Sequence, residues 1–348
     1  MQELIQSLLQ SGVEEGCFPA AAVAVGRGPV VYARAAMGRL WLPDGPPPTP
    51  DTRWDLASLT KILTATPVAL LAIQQGRLTL DDTIGRFLPA PAGRAGITVR
   101  QLMTHTSGIV PHVLLQEQPG CTPQTVVDTI LTLPLEGEAG IPRYSCLGYI
   151  VLGRMLEALY GQPLDVLARS MVFEPLGMHN ACFNPRGGNI AATETDPATG
   201  KPFMGTVHDE NARFMGGVSA NAGLFADLDG CVHYAQMLAQ NGLGLLSPAT
   251  MRKATLNYTP GYDVHRGLGF HLGGTEGNFM GDLFPADSFG HTGFTGTSIA
   301  ADPHSGLWAV LLTNRVHPTR DNEKHLRFRR RFHNALYAAY SQRYASAQ

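Results

Sequence analysis

Cysteine and excess charge are both scarce in this chain of 348 residues. The five cysteines are scattered, odd in number and free of any C-x-x-C pair, so neither a disulfide framework nor a zinc site is predicted. Lysine and arginine number 26 against 28 acidic residues, which leaves a formal net charge of −2 at pH 7. A chain so close to neutral has no strong field for nucleic acid or an anionic surface. We therefore expect no nucleic-acid partner.

Long apolar runs are also missing. No uncharged stretch reaches the length of a membrane span, so no membrane partner is expected. The first five residues (MQELI) lack the basic segment followed by an apolar one that marks a signal peptide. The sequence thus predicts a reduced, cytoplasmic protein, although a leader that had been removed would leave no trace. The one basic concentration, residues 324–331, alternates with apolar side chains and predicts an amphipathic helix with a solvated basic face.

A serine and a lysine do stand three residues apart in the stretch WDLASLTK, residues 54–61, ahead of an apolar helical run from Ile62 to Ile73. Positions i and i+3 of a helix share a face and lie about 5–6 Å apart, so Ser58 and Lys61 can meet. An amine that has lost its proton activates a serine hydroxyl for nucleophilic attack. The same residues also fit an ordinary first helical turn with a solvated lysine, so the motif needs support from elsewhere.

Segments typical of strands lie at both ends of the chain, and helical segments fill the middle. Residues 20–26 and 30–38 predict a hairpin around a Gly-Arg-Gly-Pro turn, and short runs between 267 and 314 predict further antiparallel strands. The simplest architecture is an α+β fold, in which residues 1–65 and 265–348 form an antiparallel sheet flanked by helices. Residues 66–264 form a central, mainly helical lobe. A cleft between the two lobes is the natural place for a site.

Two later stretches carry chemistry that suits Ser58. Tyr144 opens the stretch YSCLGY, and a phenol beside a lysine ammonium is expected to have a lowered pKa and to exchange protons with serine and leaving group. The stretch FGHTGFTG, residues 289–296, is dense in glycine, which permits the close approach of another backbone or a ligand. An N–H at such a strand edge can stabilise an oxyanion. The alternatives are a core tyrosine, a turn histidine and a β-bulge.

In this order and at roughly these spacings, the three stretches resemble the S-x-x-K, Y-x-[NS] and [KH]-T-G motifs of the penicillin-recognising serine hydrolases. The class C β-lactamase-like branch is the most similar: class C β-lactamases, D-alanyl-D-alanine carboxypeptidases, D-aminopeptidases and family VIII carboxylesterases. Further stretches spread the resemblance over nearly the whole chain: DLASLTK at 55–61, LMTHTSG at 102–108, PLGM at 175–178, AGLF at 222–225 and GHTG at 290–293.

The resemblance implies a β-lactamase/transpeptidase-like fold and a role for each of three side chains. Ser58 is implied to be the nucleophile that is acylated, Lys61 its proton-accepting partner and Tyr144 the second acid–base group. Which of Lys61 and Tyr144 is the general base stays open, because two interacting groups titrate as a pair. No metal and no organic cofactor is implied.

The resemblance also implies a substrate-binding strand. His291, Thr292 and Gly293 are implied to line the cleft, where His291 orients a substrate carboxylate or supports Tyr144. The backbone N–H groups of Ser58 and Phe294 are implied to form the oxyanion hole. A separate polar run, HDEN at 208–211, lacks the H-E-x-x-H spacing of a metal site and favours a hydrogen-bonded cluster that orders a loop.

Two positions depart from the family pattern. Cys146 stands where the tyrosine motif usually has asparagine, and a thiol is too weak a donor to replace a side-chain amide at a substrate carbonyl. His291 stands where class C β-lactamases have lysine, as it does in D-alanyl-D-alanine carboxypeptidases and D-aminopeptidases. Because the missing amide weakens recognition of amides and β-lactams most, we predict a family VIII-like carboxylesterase that cleaves small-molecule esters through an acyl-enzyme.

Three alternatives remain beside the esterase. The first is a β-lactamase or a D-stereospecific peptidase, with a β-lactam or D-amino-acid peptide as substrate. The second is an acyltransferase that uses the same acyl-enzyme. The third belongs to another class: a penicillin-binding or sensor module that is acylated slowly and does not turn over. No oligomeric state is predicted.

Overall fold

The computed structural model describes residues 1–344, and its main sheet joins the two ends of the chain. The strands are β1 (Ala20–Arg27), β2 (Val30–Gly38), β3 (Trp54–Asp55), β4 (Cys182–Phe183), β5 (Leu224–Ala226), β6 (His271–Leu272), β7 (Phe289–Thr292), β8 (Ser298–Ala301) and β9 (Leu307–Thr313). The six-stranded sheet has the order β2-β1-β9-β8-β7-β6, and every neighbouring pair in it is antiparallel. The remaining strands form a small second sheet in the order β3-β5-β4.

Helices cover the sheet and fill the middle of the chain. They are α1 (Gln2–Glu14), α2 (Leu59–Leu63), α3 (Ala65–Gln74), α4 (Ile84–Phe87), α5 (Ala92–Ala95), α6 (Val99–Met103), α7 (Val126–Thr132), α8 (Cys146–Tyr160), α9 (Leu164–Ala168), α10 (Glu174–Leu176), α11 (Glu210–Phe214), α12 (Leu228–Ala239), α13 (Pro248–Ala254) and α14 (Lys324–Tyr344). Within residues 1–344, no helix combines the length and the apolar character that crossing a bilayer requires. The predicted α+β fold with an antiparallel sheet is confirmed.

Strands β1 and β9 are buried on both faces, which explains why they are nearly continuous apolar runs. Alternate residues such as Ala22, Val310 and Leu312 join the core shared with the central helices. The residues between them, such as Val23 and Leu311, join a second core that contains side chains of α1 and α14. The sheet is therefore the middle of three layers, and the division into lobes at residues 65 and 265 stays a prediction.

The apolar run that follows Ser58 forms two helices, whereas the sequence predicted one. The break is at Thr64, whose φ of −127° and ψ of −86° are not helical. Pro67 gives the physical reason, because proline has no N–H and its ring disturbs the interior of a helix. A new helix that starts at Ala65 places Pro67 in its first turn, where the missing N–H has no intrahelical partner in any case. The short helix α2 therefore contains Lys61 and has Ser58 as its N-cap.

The segment from Gly267 to Leu272 was predicted as a strand, but only His271 and Leu272 pair with β7. Gly269 has a φ of +85°, so the backbone turns there rather than extends. A Cβ at this position would overlap the hydroxyl of Thr66 and lie 2.8 Å from that of Tyr149. The turn brings Arg266 and His271 close to Tyr144, one of the predicted site residues.

Candidate active site

Ser58 sits at the end of a strained turn that leads from β3 into α2. Ala57 has a φ of +44°, in the left-handed region that costs a residue with a Cβ about 1–2 kcal/mol. The buried Asp55 carboxylate holds this turn, because it accepts the N–H of Ala57 at 2.8 Å and that of His208 at 2.7 Å. Burial raises the pKa of Asp55, and these two N–H donors oppose the rise. The turn leaves Ser58 as the N-cap residue of α2.

Two threonines tie the same turn to the segment after β7. Thr295 donates its hydroxyl to the carbonyl of Asp55 at 2.7 Å, and Thr297 donates to that of Leu56 at 3.1 Å. The nucleophile and the glycine-rich strand are therefore connected through buried hydrogen bonds rather than through flexible loops.

Lys61 is fully buried beneath Ser58. Its ammonium donates to Ser58 Oγ at 3.0 Å and to the carbonyl of Asn221 at 2.9 Å, and it lies 3.5 Å from Cys146 Sγ. Burial lowers the pKa of Lys61, but the ionisable side chains of Cys146 and Tyr144 outweigh burial and raise it above its ordinary value. Lys61 is therefore an ammonium at neutral pH in the unliganded protein.

Tyr144 precedes α8 by two residues, and the start of that helix fixes its position. Ser145 is the N-cap: its hydroxyl accepts the N–H of Gly148 at 2.9 Å and donates to the carbonyl of Val110 at 3.0 Å. The backbone N–H of Ser145 in turn donates to Nδ1 of His105 at 3.1 Å. These contacts hold the Tyr144 ring with its centroid 5.0 Å from Lys61 Nζ.

The pKa of Tyr144 does not follow the sequence prediction. A phenol beside an ammonium was expected to have a lowered pKa, but burial raises the pKa of Tyr144, and the opposing effect of Lys61 is smaller. The reason is that the sequence shows the neighbouring charge but not the loss of water around the ring. Tyr144 is accordingly a neutral phenol in the resting protein.

The end of β7 supplies the opposite wall. His291 is buried, its Nδ1 lies 2.7 Å from the carbonyl of Thr292, and its ring centroid lies 5.9 Å from that of Tyr144. Gly293 donates its N–H to the carbonyl of Thr297 at 2.8 Å, which closes a turn before β8. The backbone N–H groups of Ser58 and Phe294 find no acceptor within residues 1–344, so both are free to bind an oxyanion.

These residues surround one cleft of about 430 Å³. Six of the seven predicted site residues line it: Ser58, Tyr144, His291, Thr292, Gly293 and Phe294. The seventh, Lys61, is buried beneath Ser58. A larger cleft of about 620 Å³ lies elsewhere, between α1, the end of β2 and the loop at Pro318. It contains no predicted site residue, so we place the chemistry in the smaller one.

Sequence reasoning missed several side chains around this cleft. His271 and Arg329 line it, and Arg266 lies with its guanidinium carbon 5.5 Å from the centroid of the Tyr144 ring. His105 and Asn221 could have been found, since they occur within or directly before stretches that carry the family resemblance. Arg266 and His271 carried no such signal, because the turn at Gly269 brings them in from a segment without a motif.

The polar run at 208–211 orders a loop, as the sequence favoured. His208 Nε2 lies 3.1 Å from a Glu194 carboxylate oxygen, and Arg320 bridges Glu194 and Glu210. The His208 ring also stacks on that of Phe294, with 5.7 Å between the centroids. This cluster therefore fixes the outer wall of the cleft.

The model of the family described as Beta-lactamase matches residues 5–333, which is most of the chain. The chain belongs to the beta-lactamase family. It is an enzyme of that family, a serine hydrolase, and the resemblance drawn from the sequence is confirmed.

Relatives within the family carry several names. An Escherichia coli (strain K12) protein that is provisionally named a D-alanyl-D-alanine carboxypeptidase is 31% identical over 319 residues, covering 79% of this chain and 72% of its own. Two solved structures share the β-lactamase/transpeptidase-like fold. EstCE1, described as a hydrolase with promiscuous acyltransferase activity, has a TM-score of 0.79 at 24% identity, over 96% of this chain and 98% of its own. The octameric penicillin-binding protein homologue from Pyrococcus abyssi has a TM-score of 0.77 at 20% identity, over 98% and 76%.

Proposed function

We propose that this serine hydrolase is a carboxylesterase in which Ser58 is transiently acylated. The observation that carries the proposal is the thiol of Cys146, which lies 3.5 Å from Lys61 Nζ beside the nucleophile. The family usually has an asparagine amide at this position, and a thiol cannot replace its strong N–H donor. An amide or β-lactam carbonyl would lose a hydrogen bond here, whereas an ester depends less on it because an alkoxide leaves more readily than an amine.

The reaction proceeds in two steps at Ser58. Its Oγ attacks the ester carbonyl carbon while the hydroxyl proton passes to the Lys61–Tyr144 pair, and the N–H groups of Ser58 and Phe294 bind the oxyanion. The C–O bond to the leaving alcohol breaks, and the pair returns the proton to the alkoxide. A water molecule then attacks the acyl-enzyme, gives its proton to the pair and releases the carboxylic acid, and the proton returns to Ser58.

The mouth of the cleft favours an apolar acyl or alcohol group. Phe294 and Leu326 line it and are 49% and 45% exposed, which is high for large apolar side chains. Apolar surface of this kind gains about 25 cal/mol for each Å² that a substrate covers. Short-chain to medium-chain esters are therefore the proposed substrates.

A second candidate is a D-amino-acid peptidase, and two observations favour it. The Escherichia coli relative bears a carboxypeptidase name, and the cleft contains the cationic side chains of Arg315 and Arg329, which suit a substrate carboxylate. Arg315 is largely committed, however, because its guanidinium donates to the carbonyls of Phe294, Arg320 and Asn322. EstCE1 is described as having promiscuous acyltransferase activity. An acyltransferase reaction would require only that an alcohol replace water in the second step.

The test compares a p-nitrophenyl acyl series, a chromogenic β-lactam (nitrocefin) and a D-alanyl-D-alanine peptide in the wild type and in Cys146→Asn. We expect the wild type to prefer the esters. We expect Cys146→Asn to raise kcat/KM for the peptide or β-lactam relative to the ester by about tenfold, because one restored hydrogen bond is worth roughly 1 kcal/mol or slightly more.

Cys146→Ser is the matched control, since it supplies a small polar group without an amide and is expected to keep the ester preference. Wild-type turnover of the D-peptide or the β-lactam far above that of every ester would contradict the esterase proposal and support the second candidate. A penicillin adduct on Ser58 that persists while no ester is turned over would instead indicate the slowly acylated sensor module.

The pH dependence follows from the raised pKa values of Lys61 and Tyr144. Both groups hold their protons at pH 7, and a base acts only in its deprotonated form, so the active fraction increases as pH rises. We expect kcat/KM for a p-nitrophenyl ester to increase by about tenfold per pH unit from pH 6 until the first proton of the pair is lost in the alkaline range. Initial rates read at the isosbestic wavelength of p-nitrophenol measure this directly.

Two controls make the pH profile interpretable. Spontaneous ester hydrolysis is subtracted at each pH, and enzyme kept at each pH is assayed again at pH 7.5 to detect inactivation. A plateau that begins below pH 7 would show that the pair ionises in the acid range and that the burial of Tyr144 does not control its pKa.

A further inference from the structure

Arg266 is a buried cation with no anionic partner among the described residues. It is 7% exposed, and its Nε and Nη1 atoms have no hydrogen-bond partner within residues 1–344. Its backbone is satisfied, since its N–H donates to Thr259 Oγ1 at 3.0 Å and its carbonyl accepts the N–H of Tyr258 at 2.8 Å. Buried charges are normally paired, so a guanidinium left in this state points to a partner that forms only during function.

The available partner is the phenol of Tyr144. The guanidinium carbon of Arg266 lies 5.5 Å from the centroid of its ring. Burial lowers the pKa of Arg266, and the groups that raise it are the phenols of Tyr144 and Tyr149, with no carboxylate among them. The Tyr149 hydroxyl lies 3.1 Å from that of Thr66, and burial raises its pKa to about 12, so it is already committed. Of these two phenols, only that of Tyr144 lines the cleft.

Within residues 1–344, no carboxylate contacts Tyr144. Its charged and titratable neighbours come from every element packed around it: Lys61 on α2, His105 after α6, Cys146 and Tyr149 on α8, Arg266 before β6, His271 on β6 and His291 on β7. Burial lowers the pKa of each of the three histidines well below its ordinary value, so all three are neutral at pH 7. The site thus contains two fixed cations, and a phenolate is the charge that balances them.

Lys61 and Arg266 differ in what they can do for that phenolate. The ammonium of Lys61 interacts with Tyr144, but it is also shared among Ser58 Oγ, Asn221 O and Cys146 Sγ. The Nε and Nη1 atoms of Arg266 have no hydrogen-bond partner within residues 1–344, and the guanidinium keeps its charge at every pH at which the enzyme works. Of the two cations beside Tyr144, Arg266 is therefore the one whose charge is not already shared with other hydrogen-bond acceptors.

We propose that Arg266 stabilises the phenolate of Tyr144 when this tyrosine takes the proton of Ser58. This inference rests on the acyl-enzyme mechanism proposed above. In the active form one proton has left Tyr144 for solvent, and Lys61 remains an ammonium. As the bond from Ser58 Oγ to the carbonyl carbon forms, the Oγ proton moves to Tyr144 Oη, and it later moves to the leaving oxygen. Arg266 touches no substrate and acts through Tyr144, so it is a positioning residue.

The first test replaces Arg266 by methionine, which is neutral and of similar length, and by lysine, which keeps the charge. For Arg266→Met we expect kcat/KM to fall roughly 10–100-fold at pH 7–8, with the rising limb of the pH profile displaced upward by about 1–2 pH units. The loss is expected to shrink toward pH 10.5, and Arg266→Lys is expected to recover most of the rate. A loss that is equal at every pH and equal in the lysine variant would overturn the proposal, since a merely structural role behaves in that way.

The second test needs no turnover. The phenolate absorbs near 295 nm, so titrating each Arg266 variant against the same variant with Tyr144→Phe isolates the ionisation of Tyr144. We expect this transition to occur at higher pH in Arg266→Met than in the wild type, and thermal unfolding shows whether each variant is folded. An unchanged transition in a folded variant would contradict the role of Arg266, whatever the substrate of the enzyme proves to be.

The double variant completes the cycle. In a Tyr144→Phe background we expect Arg266→Met to lower the residual kcat/KM by less than about twofold, because the group through which it acts is gone. A full additional 10–100-fold loss would show that Arg266 acts elsewhere. Any substrate that acylates Ser58 serves for this cycle, so failure of the ester assignment and failure of this inference are distinguishable.

Discussion

Ser58→Ala is expected to lower kcat/KM for a p-nitrophenyl ester by about 10⁵-fold, the largest effect of any single substitution in this chain. The reason is that the hydroxyl 3.0 Å from Lys61 Nζ is the group that forms the covalent bond to the acyl carbon. Without it, the remaining catalysis comes from binding and from the free N–H groups of residues 58 and 294. Steady-state hydrolysis gives the loss, and intact-mass analysis gives the matching disappearance of an acyl adduct.

Ser288→Ala is the control for this substitution. Ser288 is fully buried just before β7, and its hydroxyl has no hydrogen-bond partner within residues 1–344. It lies outside the lining of the catalytic cleft, so alanine there is expected to leave kcat/KM within twofold of the wild type. Ester turnover that survives in Ser58→Ala, with an adduct on another residue, would show that Ser58 is not the nucleophile.

Gly293→Ala is expected to lower kcat by about 10²–10³-fold while KM changes little. A Cβ at this position would overlap both Thr297 Oγ1 and the carbonyl oxygen of Leu56, and the second of these belongs to the turn that presents Ser58. The backbone after β7 must therefore move away from that turn, which carries the N–H of Phe294 out of reach of the oxyanion. Removing one oxyanion donor typically has an effect of this size, and the effect is felt in the transition state.

Gly93→Ala serves as the matched glycine control. Gly93 is in the short helix α5, and no atom of residues 1–344 outside its chain neighbours and helix backbone lies within 4 Å of an added Cβ. Alanine there is expected to leave kcat unchanged and to leave stability unchanged or slightly raised. Thermal unfolding of both variants separates a displaced oxyanion donor from general loss of the fold. A Gly293→Ala enzyme with wild-type kcat would show that the second donor is not Phe294.

The residues that could be predicted from sequence are those whose chemistry is encoded locally. Ser58 and Lys61 meet because an i,i+3 spacing at the start of a helix needs no distant contact. The hairpin at 20–38 is similarly local, since it has a Gly/Pro turn between two β-rich runs. Tyr144 and the glycine-rich stretch required the family resemblance, because nothing in their local pattern states that they converge on Ser58.

The features that escaped prediction depend on burial and on long-range packing. The raised pKa of Tyr144 results from loss of solvent around the ring, which the identity of its neighbours does not reveal. Arg266 reaches the ring through a backbone turn at Gly269 that was read as an extended strand. The break at Thr64 between α2 and α3 could have been predicted from Pro67, but the continuous apolar pattern favoured a single helix.

The pairing of β1 with β9 determines how late in protein synthesis the main sheet can form. Ala21 lies opposite Thr313, so about 290 residues separate two strands that are neighbours in the sheet. At the roughly 5–20 residues per second of protein synthesis, β9 leaves the ribosome about 15–60 s after β1. Ser58 is thus made soon after β1, whereas Phe294, which follows β7, is made more than 200 residues later. A nascent chain therefore contains Ser58 before it contains the second oxyanion donor, and we expect it to hydrolyse esters only after the later strands have been made and have paired.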